Sequence, residues 1–405
     1  MQSRPILTRA WERAGLARIA AKVLEGRRLS LEDGIALYNC PDLLAVGSLA
    51  NLDRERRHGD IAYYVINQHI NHTNICVGGC RFCAFGRARG AEDAYFLTLE
   101  KVEERVRSKL AQPITEIHIV GGLTPMLPWS FYPQLLRRIK AIRPGVHLKA
   151  FTMVELEYLS REMAKKPLPE MIEELKEAGL DSCPGGGAEV FSERVHQAIY
   201  KGKISGDAWL ETARTVHRSG LKTNATMLYG HVETIRERVE HLLRLRELQD
   251  ETGGFVTFIP LAFHPANTQL AHLPETTGDM DLRAVALARL MLDNFDHIKA
   301  YWIMITPKVS QTAMYFGADD FDGTVDDEEI VHYAGARTPQ YLSVDELLRH
   351  IRDAGRRPVE RDTLFNIVGQ PAGQTDPDRP PVPMEAPASD GPAVTETPSR
   401  QAGPV

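Results

Sequence analysis

YYVINQHIN (63–71) runs directly into HTNICVGGCRFC (72–83), and the reading of the chain starts at that junction. The first part is rich in aromatic and β-branched residues and reads as a strand. The second part carries Cys76, Cys80 and Cys83 in a CxxxCxxC pattern. Three thiolates at these spacings converge on one metal centre when the loop wraps tightly, and Gly78 and Gly79 permit such a path. No fourth cysteine lies nearby. A [4Fe–4S] cluster held this way keeps one iron open for a substrate. Phe82, just before the last cysteine, is placed to shield the cluster from water. A structural zinc site is the competing reading, with His69, His72 or a distant histidine as fourth ligand. Cys40 and Cys183 stand far from the triplet and read as small buried hydrophobes.

Outward from this loop, strand and helix alternate. Helix 98–110 places Leu99, Val102, Val106 and Leu110 on one face. Strand 116–122, helix 130–142 and strand 146–151 follow. Helix 168–178 has Pro169 in its first turn and Gly179 at its end. Helices near 188–200 and 206–219 lead to strand 221–227, helix 232–248, strand 255–263, helix 281–294 and strand 297–305. The last helix, 343–354, opens on a Ser343-x-x-Glu346 capping box. Strands spaced in this way by helices predict parallel βαβ units and a TIM-type (β/α) barrel, full or partial. An open doubly wound sheet is the alternative, but no GxGxxG opens its first helix. Residues 1–60 read as an N-terminal helical extension, with Ser30 capping helix 31–38. The barrel is expected over 61–325 and a C-terminal helical segment over 326–366. Residues 367–405 hold nine prolines and no aromatic residue, which predicts a disordered tail.

The net charge is -6 and no basic stripe occurs, so nucleic acid is an unexpected partner. No apolar stretch is long enough to span a bilayer, and the charged N-terminus does not read as a secretory signal. Five cysteines, three of them clustered, suit a reducing cytoplasmic setting and metal binding better than disulfides.

The CxxxCxxC at the end of the first barrel strand resembles that of the radical S-adenosylmethionine (SAM) superfamily. The resemblance implies that the open iron chelates the amino and carboxylate groups of SAM. Reductive cleavage by a one-electron donor such as flavodoxin or ferredoxin would then give methionine and a 5′-deoxyadenosyl radical. A narrower resemblance covers roughly residues 60–366. HINHTNICVGGCRFCAF, CPGGGAEVFSERV, TNATMLYGHVET, ELQDETGGF and FIPLAFHPANT look like the branch that handles futalosine and deazaflavin precursors. FGADDFDGTV (316–325) and GRRPVERDTLFN (355–366) are most similar to the aminofutalosine synthases of the futalosine route to menaquinone. That implies a transferase acting on SAM and 3-[(1-carboxyvinyl)oxy]benzoate. Other readings are the sister cyclic dehypoxanthinyl futalosine synthase, which abstracts hydrogen, and, from another class, an iron–sulfur electron carrier. Two departures stand out. The superfamily's Gly-Gly-Glu is Gly121-Gly122-Leu123 here, and His72 stands where relatives often carry proline.

On this resemblance, Gly121 and Gly122 let the methionine moiety approach bare backbone, and Glu155 accepts hydrogen bonds from the ribose. The run GGGAE (185–189) is expected to open a helix whose N-terminus attracts carboxylates, with Arg194 as partner of the methionine carboxylate. Thr226 to Glu233 would hold adenine, with Tyr229 or Met227 against its face. The dicarboxylate substrate needs polar donors in an apolar barrel, and His264, Asn71 and Asn74 are candidates. Thr306, Lys308, Asp320 and Arg337 are further ones. Asp319, Asp320 and Asp322 lack an EF-hand pattern and read as loop carboxylates.

Overall fold

The computed structural model describes residues 4–368. The strand expected at 63–71 forms as two short strands in line, β1 (Ile61–Val65) and β2 (Asn67–Asn71). They are followed by β3 (Glu116–Val120), β4 (His147–Ala150), β5 (Ser182–Cys183), β6 (Lys222–Tyr229), β7 (Phe255–Ala262) and β8 (His297–Ile298). β2 to β8 pair in chain order, every pair parallel, in one seven-stranded curled sheet. Two further strands, β9 (Asp320–Gly323) and β10 (Arg357–Glu360), flank β1 in a second parallel sheet. The two sheets meet where Asp319 N donates to Ile298 O and Ala300 N to Asp320 O, bridging β8 to β9. β9 then pairs with β1, which continues into β2, so the strands circle back on themselves as a TIM-type barrel.

Local sequence explains the helices between them. Thr98, Thr152, Ser205, Thr234, Thr277 and Ser343 each sit before a helix and accept from a backbone N–H three residues on. The expected boxes at Ser30–Asp33 and Ser343–Glu346 form, and each reciprocally satisfies two otherwise orphaned donors. The helix Ile235–Thr252 turns Val239, Leu242, Leu245 and Leu248 inward, as its 3.6-residue period requires. The helix Leu99–Ser108 buries Val102 and Val106, but Leu110 falls past its end and is 49% exposed.

The N-terminal helices pack on the outer helix layer of the barrel. Leu43–His58 packs on the helix Gly278–Met291. From it the buried guanidinium of Arg54 donates to the carbonyls of Gly59, Ile61 and Ala318, which ties helix, β1 and the approach to β9 together.

Several local expectations differ. GGGAE opens no helix, because Glu189 takes a left-handed φ of 49° and the chain stays irregular until Ser192 caps a short turn at Glu193–Val195. The strand expected at 297–305 stops at Ile298, and Trp302–Ile305 is helical. FDG lies in β9 rather than a loop, and the segment 326–366 holds β10 beside its helices. The expected tail, apart from Ile367 and Val368, lies outside the described residues.

Candidate active site

A cavity of about 540 Å³ opens where the barrel strands end. Cys76, Cys80 and Cys83 all line it. Backbone N–H groups aim at two of the three sulfurs. Gly78 and Leu123 each donate to Cys76 Sγ at 3.3 Å, and Gly86 donates to Cys83 Sγ at 3.3 Å. Such donors stabilise negative charge on sulfur, which a thiolate ligand carries and a neutral thiol does not. Two glycines are required where the loop turns and where the next strand end meets it: Gly79 takes a left-handed φ of 60°, and a Cβ on Gly122 would lie 2.2 Å from Ile75 O. Burial pushes the Cys80 thiol up to about 12, so only a bound metal would hold it as thiolate at neutral pH. Three converging sulfurs with amide donors fit a [4Fe–4S] cluster with one open iron. The two histidines weighed as a fourth zinc ligand are engaged elsewhere, His69 stacked on His118 and His72 packed among Phe131, Tyr132 and Phe151.

Around the cysteines several expected residues come together. Phe82, Gly121, Gly122, Glu155, Thr226 and His264 all line the cavity. Glu155 is 5% exposed and wholly engaged with its own framework. One oxygen accepts from Gly121 N at 3.0 Å, the other from Thr152 N and Oγ1, each at 2.8 Å. Burial outweighs those bonds and pushes its carboxyl up to about 7. Thr226 Oγ1 donates to Gly185 O at 2.7 Å, fixing the Gly run against β6. His264 Nε2 lies 3.0 Å from Met304 O.

Other expected residues lie elsewhere. Arg194 sits on the outer face, paired with Glu237 at 2.6 Å and bonded to Val232 O, so it is committed away from the cavity. Tyr229 and Met227 fall on the outward parity of β6, whose inward positions are Asn224, Thr226 and Leu228. The Tyr229 hydroxyl accordingly donates to Asp281 on the surrounding helix layer at 2.8 Å. Glu233 faces its own loop, accepting from Gly230 N and His231 N and pairing with Arg238. Asn71 and Asn74 are buried struts. Asn71 spans from Val120 O to Glu329 N, and Asn74 pins the cysteine loop to Asp93 and Tyr95. Thr306, Lys308 and Arg337 are exposed outside the cavity. Asp320 is buried in a pair with Arg361, and Asp319 with Arg289 and His297. His72 is packed among the rings of Phe131, Tyr132 and Phe151, and burial lowers it to about 4, so it is a neutral wedge under Gly121.

Sequence reasoning missed Lys203. Its ammonium group lines the cavity, pairs with Glu189 at 2.5 Å and lies 5.0 Å over the Phe82 ring. Burial opposes its charge, while the adjacent Glu189 carboxylate and any negative charge on the Cys80 and Cys83 sulfurs favour it. Lys203 thus occupies the position expected of Arg194, a cation beside the cysteines. The floor residues His69, His118, Lys149, Lys299 and Tyr301 were not singled out as substrate ligands either, although the alternation of polar residues in QHIN and EIHIV marks inward positions.

Comparison with known proteins agrees with this geometry. The Radical SAM superfamily is matched over residues 70–245, and the CofH/MqnC C-terminal region over residues 252–373. The chain is 50% identical over 354 residues to an aminodeoxyfutalosine synthase of Thermus thermophilus, covering 86% of this chain and 95% of that one. It is 43% identical over 377 residues to an aminodeoxyfutalosine synthase of Streptomyces coelicolor, covering 89% and 96%. Among solved structures, the FeFe-hydrogenase maturase HydG from Carboxydothermus hydrogenoformans shares the fold. Its TM-score is 0.69 at 16% identity, covering 90% of this chain and 84% of that chain. With its cysteine loop, its barrel and half its residues in common with one such enzyme over most of both lengths, this chain is a radical SAM enzyme and belongs to the aminodeoxyfutalosine synthases.

Proposed function

We propose that the chain joins the 5′-deoxyadenosyl group of SAM to 3-[(1-carboxyvinyl)oxy]benzoate, giving 6-amino-6-deoxyfutalosine with loss of CO2 or bicarbonate, in menaquinone biosynthesis. The observation that carries this reading is a cavity with the cysteine triplet at its mouth and a floor lined by histidines, a tyrosine and two ion-paired lysines. One enclosure can therefore hold two reactants end to end. A [4Fe–4S] cluster on Cys76, Cys80 and Cys83 would supply the electron that cleaves SAM into methionine and the adenosyl radical.

The protein's own contribution is to bind, orient and keep water out. Lys203, held by Glu189, is the cation for the methionine carboxylate. Gly121 and Gly122 leave bare backbone for its amine end, where Leu123 offers no carboxylate. Glu155 and Thr226 border the ribose and adenine space. The walls between mouth and floor, Leu228, Ile259, Leu261, Met304 and Val331, are apolar and keep water from the space between the two reactants. The reading includes a cytoplasmic setting and flavodoxin or ferredoxin as electron source. No helix among the described residues is long and apolar enough to cross a membrane.

The test is anaerobic turnover of the cluster-loaded protein with dithionite and both substrates, followed by mass spectrometry. The expected product carries the adenosyl group covalently on the benzoate skeleton, and Cys80→Ala forms none. Release of 5′-deoxyadenosine alone would favour the hydrogen-abstracting cyclase instead.

A further inference from the structure

The part of the cavity deepest in the barrel is built from His69, His118, Lys149, Lys299 and Tyr301. His69, His118 and Lys149 are register partners on β2, β3 and β4, so three neighbouring strands hold them in one layer. The two imidazoles stack with their centroids 4.6 Å apart. Both ammonium groups are already paired, Lys149 with Glu116 at 2.6 Å and Lys299 with Asp322 at 2.5 Å. The ring nitrogens of His69 and His118 and the hydroxyl of Tyr301 are different. Among the described residues none of them has a hydrogen-bond partner, and none is a sealed-off polar atom. Their free N–H and O–H groups therefore open onto the cavity.

The chemistry of this floor selects its ligand. Burial holds both histidines below their ordinary pKa, so each is a neutral imidazole with one N–H to donate at pH 7. The two acidic groups that also line this region are occupied. Asp322 is tied to Lys299, and both Glu328 oxygens accept from Val331 N at 3.2 Å. Three unsatisfied donors gathered inside a largely apolar cavity suit one planar acceptor group such as a carboxylate. The reacting double bond of the second substrate must lie toward the cysteine mouth, where the adenosyl group is released. Its benzoate ring then points down the barrel.

We propose that the floor is the seat of the aryl carboxylate, with His69, His118 and Tyr301 donating hydrogen bonds to it. The assignment rests on the substrate reading given above. These are positioning residues that set specificity for an aromatic acid, and they take no part in bond making.

The test compares two ligands that differ only in that carboxylate, 3-[(1-carboxyvinyl)oxy]benzoate and 2-phenoxyacrylate. Their Kd values are measured by calorimetry on the full chain, cluster-loaded and SAM-bound but unreduced. The native protein is expected to favour the benzoate. In Tyr301→Phe and in His118→Leu that preference is expected to shrink by about 10- to 100-fold, the range for a lost hydrogen bond to a charged group. Equal weakening of both ligands, or an unchanged preference in both variants, would overturn the floor assignment alone. Failure of the native protein to bind the benzoate at all would overturn the substrate reading and the assignment with it.

Discussion

The Glu155 carboxylate accepts from Gly121 N at 3.0 Å, locking the turn after β3 to the helix start after β4. The same side chain is the reciprocal half of the Thr152 capping box. One buried carboxylate thus fixes two strand ends that border the cysteine loop.

That burial has a pH signature. The Glu155 carboxyl is raised from its ordinary 4.5 to about 7, chiefly by desolvation. Below 4.5 it is protonated in both folded and unfolded chains. As pH rises from there toward 7, the unfolded chain gives up its proton first, so stability present at low pH is lost through this window. The loss is about 3 kcal/mol at most. Glu155→Gln stays neutral, so its stability relative to the native chain is expected to rise between pH 4.5 and 7 and level off above. Urea unfolding of the cluster-free chains across pH 4.5 to 8 measures the difference. Parallel curves would contradict the assignment.

Lys203 lines the cavity close to the cysteine mouth, braced by Glu189 and by the Phe82 ring. Lys203→Met is expected to lower the cluster's reduction potential, because a nearby positive charge favours the more negative reduced form. It should also raise the KM for SAM by about tenfold or more. Potentiometric titration followed by electron paramagnetic resonance reads the first effect, and Lys203→Arg should restore most of both. An unshifted potential with unchanged KM would remove Lys203 from the site.

The turn at 121–123 acts through its backbone. A Cβ at Gly122 would meet Ile75 O at 2.2 Å, whereas Cys76 Sγ needs only the N–H of residue 123. Gly122→Ala is therefore expected to lose most bound iron after reconstitution, and Leu123→Ala to keep it. Iron and sulfide analysis of the two variants decides, and the reverse order would contradict this role.

Arg361 reaches from the end of β10 to Asp320 on β9, both buried, at 2.5 Å. Removing only the cation leaves an uncompensated buried carboxylate. Arg361→Met should cost about 3–5 kcal/mol of unfolding free energy, and Asp320→Asn in the same chain should recover much of it. Denaturant titration of the full chain checks both.

The cysteine centre was legible because its ligands lie within eight residues of sequence, and short spacing constrains geometry without knowledge of the fold. The strand–helix alternation was legible for the same local reason. The role of each strand residue was not, because it depends on register. Tyr229 and Thr226 differ by three positions on β6, an odd step, and so face opposite sides of the barrel wall. Arg194 is drawn outward by Glu237, which is 43 residues distant in sequence, and no local pattern announces that pair. β10 was missed because RPVE carries a proline and two charges. It forms as an added strand on β1, where Ile61 to Tyr64 supply the partners. The motif GRRPVERDTLFN, noticed only by resemblance, gains its physical meaning there: it delivers Arg361 to the buried end of the barrel.

The most direct measurement of the central claim is the fate of the adenosyl group per methionine released. With SAM labelled in its ribose, anaerobic turnover of the reconstituted chain with 3-[(1-carboxyvinyl)oxy]benzoate is expected to give one labelled benzoate-containing product for each methionine, with little 5′-deoxyadenosine. Labelled 5′-deoxyadenosine in equal amount to methionine, and no label on the benzoate skeleton, would contradict it.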